Sequence, residues 1–422
     1  MSEEKNDTVV VPEQSYSDSK IGLLSPTNLE RMPNEVSASR LKKLDAHVVL
    51  LNNYVRPHHV AAYSELAKRV RALTVLLSVP MEPDRNWQPQ WDDLDVRVQK
   101  NWMFTARWKH SSGFAEPNFI HVPIDTTRQL KKLNADIVFS YEMGMRTLLS
   151  CWYRRFHPEV PLVMVGNMSE HIEIERGWAR RTLRRSICRT ADYFTYNGPS
   201  CKRYLESLPL ASDRLLELPY CVDSSVVFDG AREVLDSENR KLLYCGSLSE
   251  RKGILTFTQM MRQWCDQNRQ RQVRLSIAGD GPLKDAIAEQ AADNFEISFL
   301  GHCDPSELLN AYRENDMAVF PSLADEWGMV PIEAMKSGLP VLGSFFAQSV
   351  EVHCEEGKNG WAFDPTNEHD LKSAIDRAMA CSNEQLLEMG QYARQSVAHV
   401  SPQRTAEHFC RVIETALPRL RS

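Results

Sequence analysis

The sequence lacks any C-x-x-C pair: its ten cysteines stand singly. That argues against a zinc knuckle or a disulfide scaffold and points to reduced, structural thiols. Long apolar runs are missing too, and stretches such as 73–77 have the length of strands, too short to span a bilayer. There is no surplus of positive charge. The formal net charge is −6, so nothing favours bulk attraction to nucleic acid, and none is expected as a partner. Nor does the chain open like a secretory leader, because residues 1–40 are polar and serine-rich with three prolines. A disordered tail is therefore expected over 1–43, and the cytoplasm is the expected compartment.

What is present is alternation. At 422 residues the chain exceeds one ordinary core, and its 42% hydrophobic content is that of a globular protein. Apolar runs at 47–52, 73–79, 137–141, 162–165 and 193–196 read as buried strands, with helical patterns at 61–71, 126–133, 145–156 and 178–189. The rhythm breaks between Pro219 and Arg240, which reads as a linker. A second alternation follows, with strands at 242–245, 273–278, 297–300, 317–320 and 340–342 and helices at 283–292, 306–315 and 330–337. The expected domains are 44–220 and 241–400, joined by 221–240. A last helix over 401–422 is placed to pack back on the first domain. Two open parallel sheets put ligands at their carboxyl edges, in the cleft between them.

Three strand-to-helix junctions in the second half suit a phosphate. Residues 245–253 read Cys-Gly-Ser-Leu-Ser-Glu-Arg-Lys-Gly. Gly246 and Gly253 let the backbone approach a ligand, and Lys252 sets an ammonium beside a helix N-terminus. The plainer reading is a polar turn with a solvated lysine. Gly279 and Gly281, in Ala-Gly-Asp-Gly-Pro, precede a helix with proline near its start, although taken alone such glycines more often just make a tight turn. Residues 325–335, Asp-Glu-Trp-Gly-Met-Val-Pro-Ile-Glu-Ala-Met, are the most informative, with Asp325 and Glu333 eight positions apart. Free N–H groups of Gly328, Met329 and Val330 at the helix start suit the phosphates. Glu333, among Ile332, Ala334 and Met335, needs a hydroxyl or amide partner, which a ribose supplies. Asp325 is placed to hold a sugar's hydroxyls. Otherwise Asp325 is a cap and Glu333 a solvated face.

Followed by Ser-Gly-Leu-Pro-Val at 337–341, this segment resembles the signature of glycosyltransferase family 4, of the glycosyl transferases group 1. The family pattern is glutamate, seven residues, glutamate; here the shorter Asp325 takes the first place. The loop at 246–253 is similar to the family's diphosphate loop, 279–282 to its Gly-x-Gly-Pro turn, and Leu300-Gly301-His302 to the strand end beside the base. Glu351 and residues 357–360 look like its downstream pattern. Ser247 stands where the family often has arginine, which leaves the phosphate charge to Lys252, Arg251 and helix N-termini.

The likeness covers about 242–380 and fades before Pro219. It implies an α/β protein of the GT-B fold, with two Rossmann-like domains and a cleft between them. It also implies transfer of a sugar from a nucleotide sugar to a glycan or lipid-linked acceptor, with retention and with no metal or other cofactor. The residues it assigns to catalysis are Asp325, Glu333, Lys252 and His171. Donor contacts fall to Gly246, Ser247, Arg251, Gly279, Gly281, Gly301, His302, Gly328, Met329 and Val330. Two rival classes stand beside it: another GT-B enzyme such as a nucleotide-sugar epimerase or hydrolase, and a non-catalytic nucleotide-sugar-binding protein.

The first half says less. His171 is the candidate for the family's cleft histidine, with a plain surface histidine as the alternative. Glu142, at another strand end, is a second candidate acceptor contact. His58 and His59 read as an acceptor-side loop or helix cap rather than a metal site. Asp93 and Asp95 spell an acid-x-acid triplet of the kind that holds a metal in GT-A transferases, and are read as chance. Arg176, Arg180, Arg181, Arg184, Arg185 and Arg189, with Trp178, Leu183 and Ile187, make a helix basic on one side and apolar on another. Such a helix packs its apolar side on the sheet or lies on the anionic inner face of a membrane.

Overall fold

A computed structural model of the chain describes residues 43–83, 90–110, 113–173, 177–222, 227–230 and 239–418. But for Lys43, the tail expected over 1–43 lies outside them, as do Arg176 and most of the expected linker.

The first half contains β1 (Leu44–Asn52), β2 (Val70–Leu77), β3 (Asp95–Val98), β4 (Asn101–Lys109), β5 (Ala115–Pro123), β6 (Ile137–Tyr141), β7 (Leu162–Val165), β8 (Tyr193–Tyr196) and β9 (Leu215–Glu217). The second contains β10 (Asn239–Cys245), β11 (Gln272–Ala278), β12 (Phe295–Gly301), β13 (Met317–Phe320), β14 (Val341–Ser344) and β15 (Gly360–Phe363). Seven strands form one sheet in the order β3-β2-β1-β6-β7-β8-β9, and six form another in the order β12-β11-β10-β13-β14-β15. Every pairing within these two sheets is parallel.

Helices cover both faces of each sheet, which is why the strands are apolar almost throughout rather than alternating. Along β1, Ala46, Val48 and Leu50 pack into the core of one face while Val49 and Leu51 pack into the other. Each buried valine or leucine contributes about 1.5–3 kcal/mol. In both sheets the strand order reverses beside the first strand, between β1 and β6 and between β10 and β13. Such a switch point opens a crevice at the carboxyl ends.

The helix Pro402–Ala416 lies on the first sheet although it follows the second. Its Phe409 ring sits 5.3 Å from Phe139 and 6.2 Å from Tyr63, and Thr405 Oγ1 donates to the Pro219 carbonyl at 3.0 Å. Several elements depart from expectation, among them the helix expected at 283–292, which runs Lys284–Ala288, and the strand expected at 73–79, which runs Val70–Leu77. The helix expected at 61–71 runs Pro57–Ala67, since Pro57 fits the first helical turn. Residues 101–123 form an antiparallel hairpin, β4 with β5, which lies outside both sheets.

Candidate active site

Two loops meet at the switch point of the second sheet. One follows β10 and holds Gly246 to Gly253; the other follows β13 and holds Asp325 and Glu326. Gly253 has φ +65°, and a Cβ there would stand 2.1 Å from the Pro321 carbonyl oxygen. Gly279 has φ +149°, and its Cβ would fall 1.9 Å from the Gly246 carbonyl oxygen. Only glycine permits these close approaches, so these two loops and the turn after β11 are stacked as one floor.

On that floor the Lys252 ammonium donates to Asp325 Oδ2, each side chain keeping 16% of its surface exposed. The Lys252 Nζ also lies 5.2 Å from the Phe320 ring centre. Arg251 completes the cluster: Nη1 stands 3.9 Å from Asp325 Oδ2 and donates to the Ala324 carbonyl at 3.1 Å. Burial lowers the Lys252 ammonium below its usual range, against the pull of Asp325. Burial also works to raise the Asp325 carboxyl, but the Lys252 and Arg251 charges outweigh it and hold the group low. The two side chains form an ion pair across the two loops.

The helix Met329–Lys336 starts just beyond, with Gly328 (φ +84°) before it and no side-chain cap on its first turn. Glu333 sits one turn in and accepts from the Tyr312 hydroxyl at 3.1 Å. Asp325 does not cap this helix, and Glu333, half-buried and bonded to Tyr312, is not a fully solvated residue. Ser247 is exposed, and its carbonyl accepts from the Tyr244 hydroxyl at 2.8 Å. Gly279, on the turn that also carries Gly281, bridges to Gly301 at the end of β12, and the adjoining His302 is exposed.

The facing wall comes from the first sheet's switch point. Arg56 follows β1, Glu142 follows β6, and Asn167 follows β7. Asn167 Nδ2 reaches Glu326 Oε2 at 3.5 Å across the cleft. Burial pushes the Glu326 carboxyl up to about 7; the Glu142 and Asp325 charges add to this, while Arg56 and Arg251 work against it. Glu142 adopts a left-handed φ of +64° and accepts from Asn53 Nδ2 with both oxygens, at 3.1 and 2.9 Å. Backbone strain of this kind at a non-glycine residue gathers at functional sites. Glu326 was missed in the sequence because only Asp325 stands in register with Glu333.

His171 is half-buried and stacks on Phe346 of the second half, with ring centres 3.9 Å apart, so it is no plain surface histidine. Burial lowers its imidazole below the usual range, the nearby Glu170 opposing. The His58-His59 reading is corrected. Both lie inside the helix Pro57–Ala67, buried among Tyr63, Tyr141 and Tyr220, and form neither a loop nor a cap. Asp95 lies on β3 and is bonded by Arg97 and Thr74. Among the described residues, no three His, Cys, Asp or Glu side chains converge as metal ligands.

Comparison with known proteins agrees with this geometry. The family model for glycosyl transferases group 1 matches residues 229–396, which carry all the loops of the floor. An uncharacterized glycosyltransferase of Methanocaldococcus jannaschii is 26% identical over 149 residues, covering 35% of this chain and 37% of that protein. The matches to several such curated relatives span less than half of their length. Glycogen synthase of Mycobacterium tuberculosis aligns further, 32% identical over 315 residues, or 68% of this chain and 72% of that one. Among solved structures, Anabaena HepE in complex with UDP superposes with a TM-score of 0.65 at 15% identity. That match covers 87% of this chain and 100% of HepE, a likeness of fold. Two Rossmann-like halves in the GT-B arrangement and a relative aligned across most of its length place the chain in one family: it belongs to the glycosyl transferases group 1.

Proposed function

We propose that the protein is a retaining, metal-independent glycosyltransferase of family 4 that moves a sugar from a nucleoside-diphosphate sugar to a hydroxyl of a glycan or lipid-linked acceptor. The observation that carries the reading is the Lys252–Asp325 contact at the β10/β13 switch point, beside a helix start that also bears Glu333. On donor binding, the Lys252 ammonium and the N–H groups of Gly328, Met329 and Val330 meet the diphosphate, with Arg251 supplying charge in place of Ser247. Lys252 turns from Asp325 to the phosphates, which frees the Asp325 carboxylate for the sugar's hydroxyls. Glu333 accepts from the ribose, held in place by Tyr312. Gly279, Gly281, Gly301 and His302 line the base side.

The bond that breaks joins the anomeric carbon to the diphosphate, which leaves with the electron pair. The bond that forms joins the same face of that carbon to the acceptor oxygen, whose O–H bond breaks as its proton passes to the departing diphosphate. These cationic groups stabilise the charge on the departing diphosphate, a task that needs no metal in this account. His171 contacts the sugar from the first half, and Glu142 and Glu326 face the acceptor. The protein acts in the cytoplasm, at the inner face of the membrane where its acceptor is lipid-linked.

The test incubates the chain with UDP-, GDP- and ADP-sugars, with and without glycan acceptors, and reads nucleotide release and product anomeric configuration. Release that requires an acceptor, with configuration kept, supports the proposal. Product formed without acceptor would mark an epimerase or hydrolase. Binding without turnover on any acceptor would mark a non-catalytic binder.

A further inference from the structure

The helices Met145–Phe156 and Trp178–Thr190 pack side by side on the first sheet, and neither contains a single aspartate or glutamate. Their outward faces pair large aromatic rings with arginines. Trp152, Phe156 and Trp178 are 59%, 62% and 75% exposed. Trp152 and Phe156 touch edge to face, with centres 5.0 Å apart.

The basic face expected from sequence is narrower than its six arginines suggest. Arg184 turns inward, paired with Glu173 and bonded to Tyr204, and Arg176 lies outside the described residues. What remains outside is one stripe. Trp178, Arg181, Arg185 and Arg189 are all exposed and stand at i, i+3, i+7 and i+11, which a helix of 3.6 residues per turn lines up. On the neighbouring helix Arg155 is exposed between Trp152 and Phe156. Arg155 and Arg189 line one surface hollow, so the two stripes form a continuous face. Arg155, Arg181, Arg185 and Arg189 have no carboxylate partner among the described residues, whereas Arg154 nearby is spent on Asp192 through two bonds of 2.8 Å.

We infer that this face docks on an anionic lipid bilayer, with the arginines on lipid phosphates and Trp152, Phe156 and Trp178 inserted at the headgroup level. The composition favours that occupant. Guanidinium groups alone would suit any polyanion, but a polyanion in water gives the three exposed rings nothing to enter. A bilayer interface takes up both: indole and phenyl rings partition into it, and arginine keeps its head with the phosphates while its stem lies on apolar surface. The cationic patch also stands on a chain of net charge −6, so its attraction to lipid is local and oriented. The inference is independent of the glycosyl-transfer reading.

The experiment is flotation of the full-length chain with vesicles of phosphatidylglycerol and phosphatidylcholine in equal parts, and with phosphatidylcholine alone. Two triple variants are compared: Arg181→Gln with Arg185→Gln and Arg189→Gln, and Trp152→Ala with Phe156→Ala and Trp178→Ala. All six side chains stand outside the core, so unchanged melting serves as the folding control. The expected result is flotation with the anionic vesicles only. The arginine variant should weaken it about fivefold per residue removed, and the aromatic variant at least about tenfold. Absence of binding to the anionic vesicles overturns the inference, as does equal binding by both variants. So would displacement by inorganic phosphate at matched ionic strength, which would mark a simple anion site, or retention on heparin without vesicle binding, which would mark a soluble polyanion partner.

Discussion

Glu116, on the hairpin of the first half, accepts a hydrogen bond from Arg251 Nε of the second at 2.7 Å. The same carboxylate accepts from Ser249 Oγ at 3.3 Å. The loop proposed to receive the diphosphate is therefore held from the opposite half, and its cations are already matched. Arg251 faces Glu116, and Lys252 faces Asp325.

That pairing predicts a gain. Glu116→Gln removes the charge competing for Arg251, so nucleoside diphosphate binding should tighten about two- to fivefold, the value of one partly exposed ion pair. Calorimetric titration of UDP, GDP and ADP checks it. Unchanged or weaker binding in the variant would mean that Arg251 takes no part.

Lys252→Ala and Glu333→Ala should each lower turnover by on the order of a hundredfold or more, since each removes a group aimed at the donor. Initial-rate kinetics at saturating donor reads the effect. Lys252→Ala also leaves Asp325 in the cleft without its cation, so a loss of about 1–3 kcal/mol in folding stability should accompany it.

Glu326 gives a pH dependence. Burial raises its carboxyl from 4.5 to about 7 in the folded chain. A group whose folded value is raised contributes its stability fully below the unfolded value, and that contribution is lost as pH rises through the folded one. The parent should therefore lose stability between about pH 4.5 and pH 7 relative to Glu326→Gln, which still accepts from Asn167. Above pH 7 the variant should be the more stable, by about 3 kcal/mol, and the two should converge in acid. Melting curves across pH decide this, and parallel curves would contradict it.

Gly279→Ala should cost at least about 2 kcal/mol and impair nucleotide binding, because its Cβ would fall 1.9 Å from the Gly246 carbonyl. Denaturant unfolding measures the first effect and calorimetry the second.

Much of this architecture was legible in the sequence. The strands expected at 137–141, 162–165, 193–196 and 317–320 have those bounds in the structure. They are central strands buried on both faces, so an unbroken apolar run marks each end. The β4–β5 hairpin was not legible. Its outer face exposes Trp102, Phe104 and Ile120, so no contrast between a buried and a solvated side sets its period. Within the site, the Asp325–Glu333 spacing was readable because both lie in one stretch of sequence, a loop and the helix after it. Glu116, Asn167 and Arg56 were not. Each approaches the cleft from a separate stretch of the first half, and only the packing of the two halves brings them to Arg251 and Glu326.

The most direct measurement is calorimetric titration of nucleoside diphosphates into the parent chain and into Lys252→Met, which keeps the length of the side chain and removes its charge. The account predicts saturable binding of at least one of UDP, GDP and ADP to the parent, weakened about tenfold or more in the variant. Equal affinity in the two proteins, or no binding of any of the three to the parent, would contradict it.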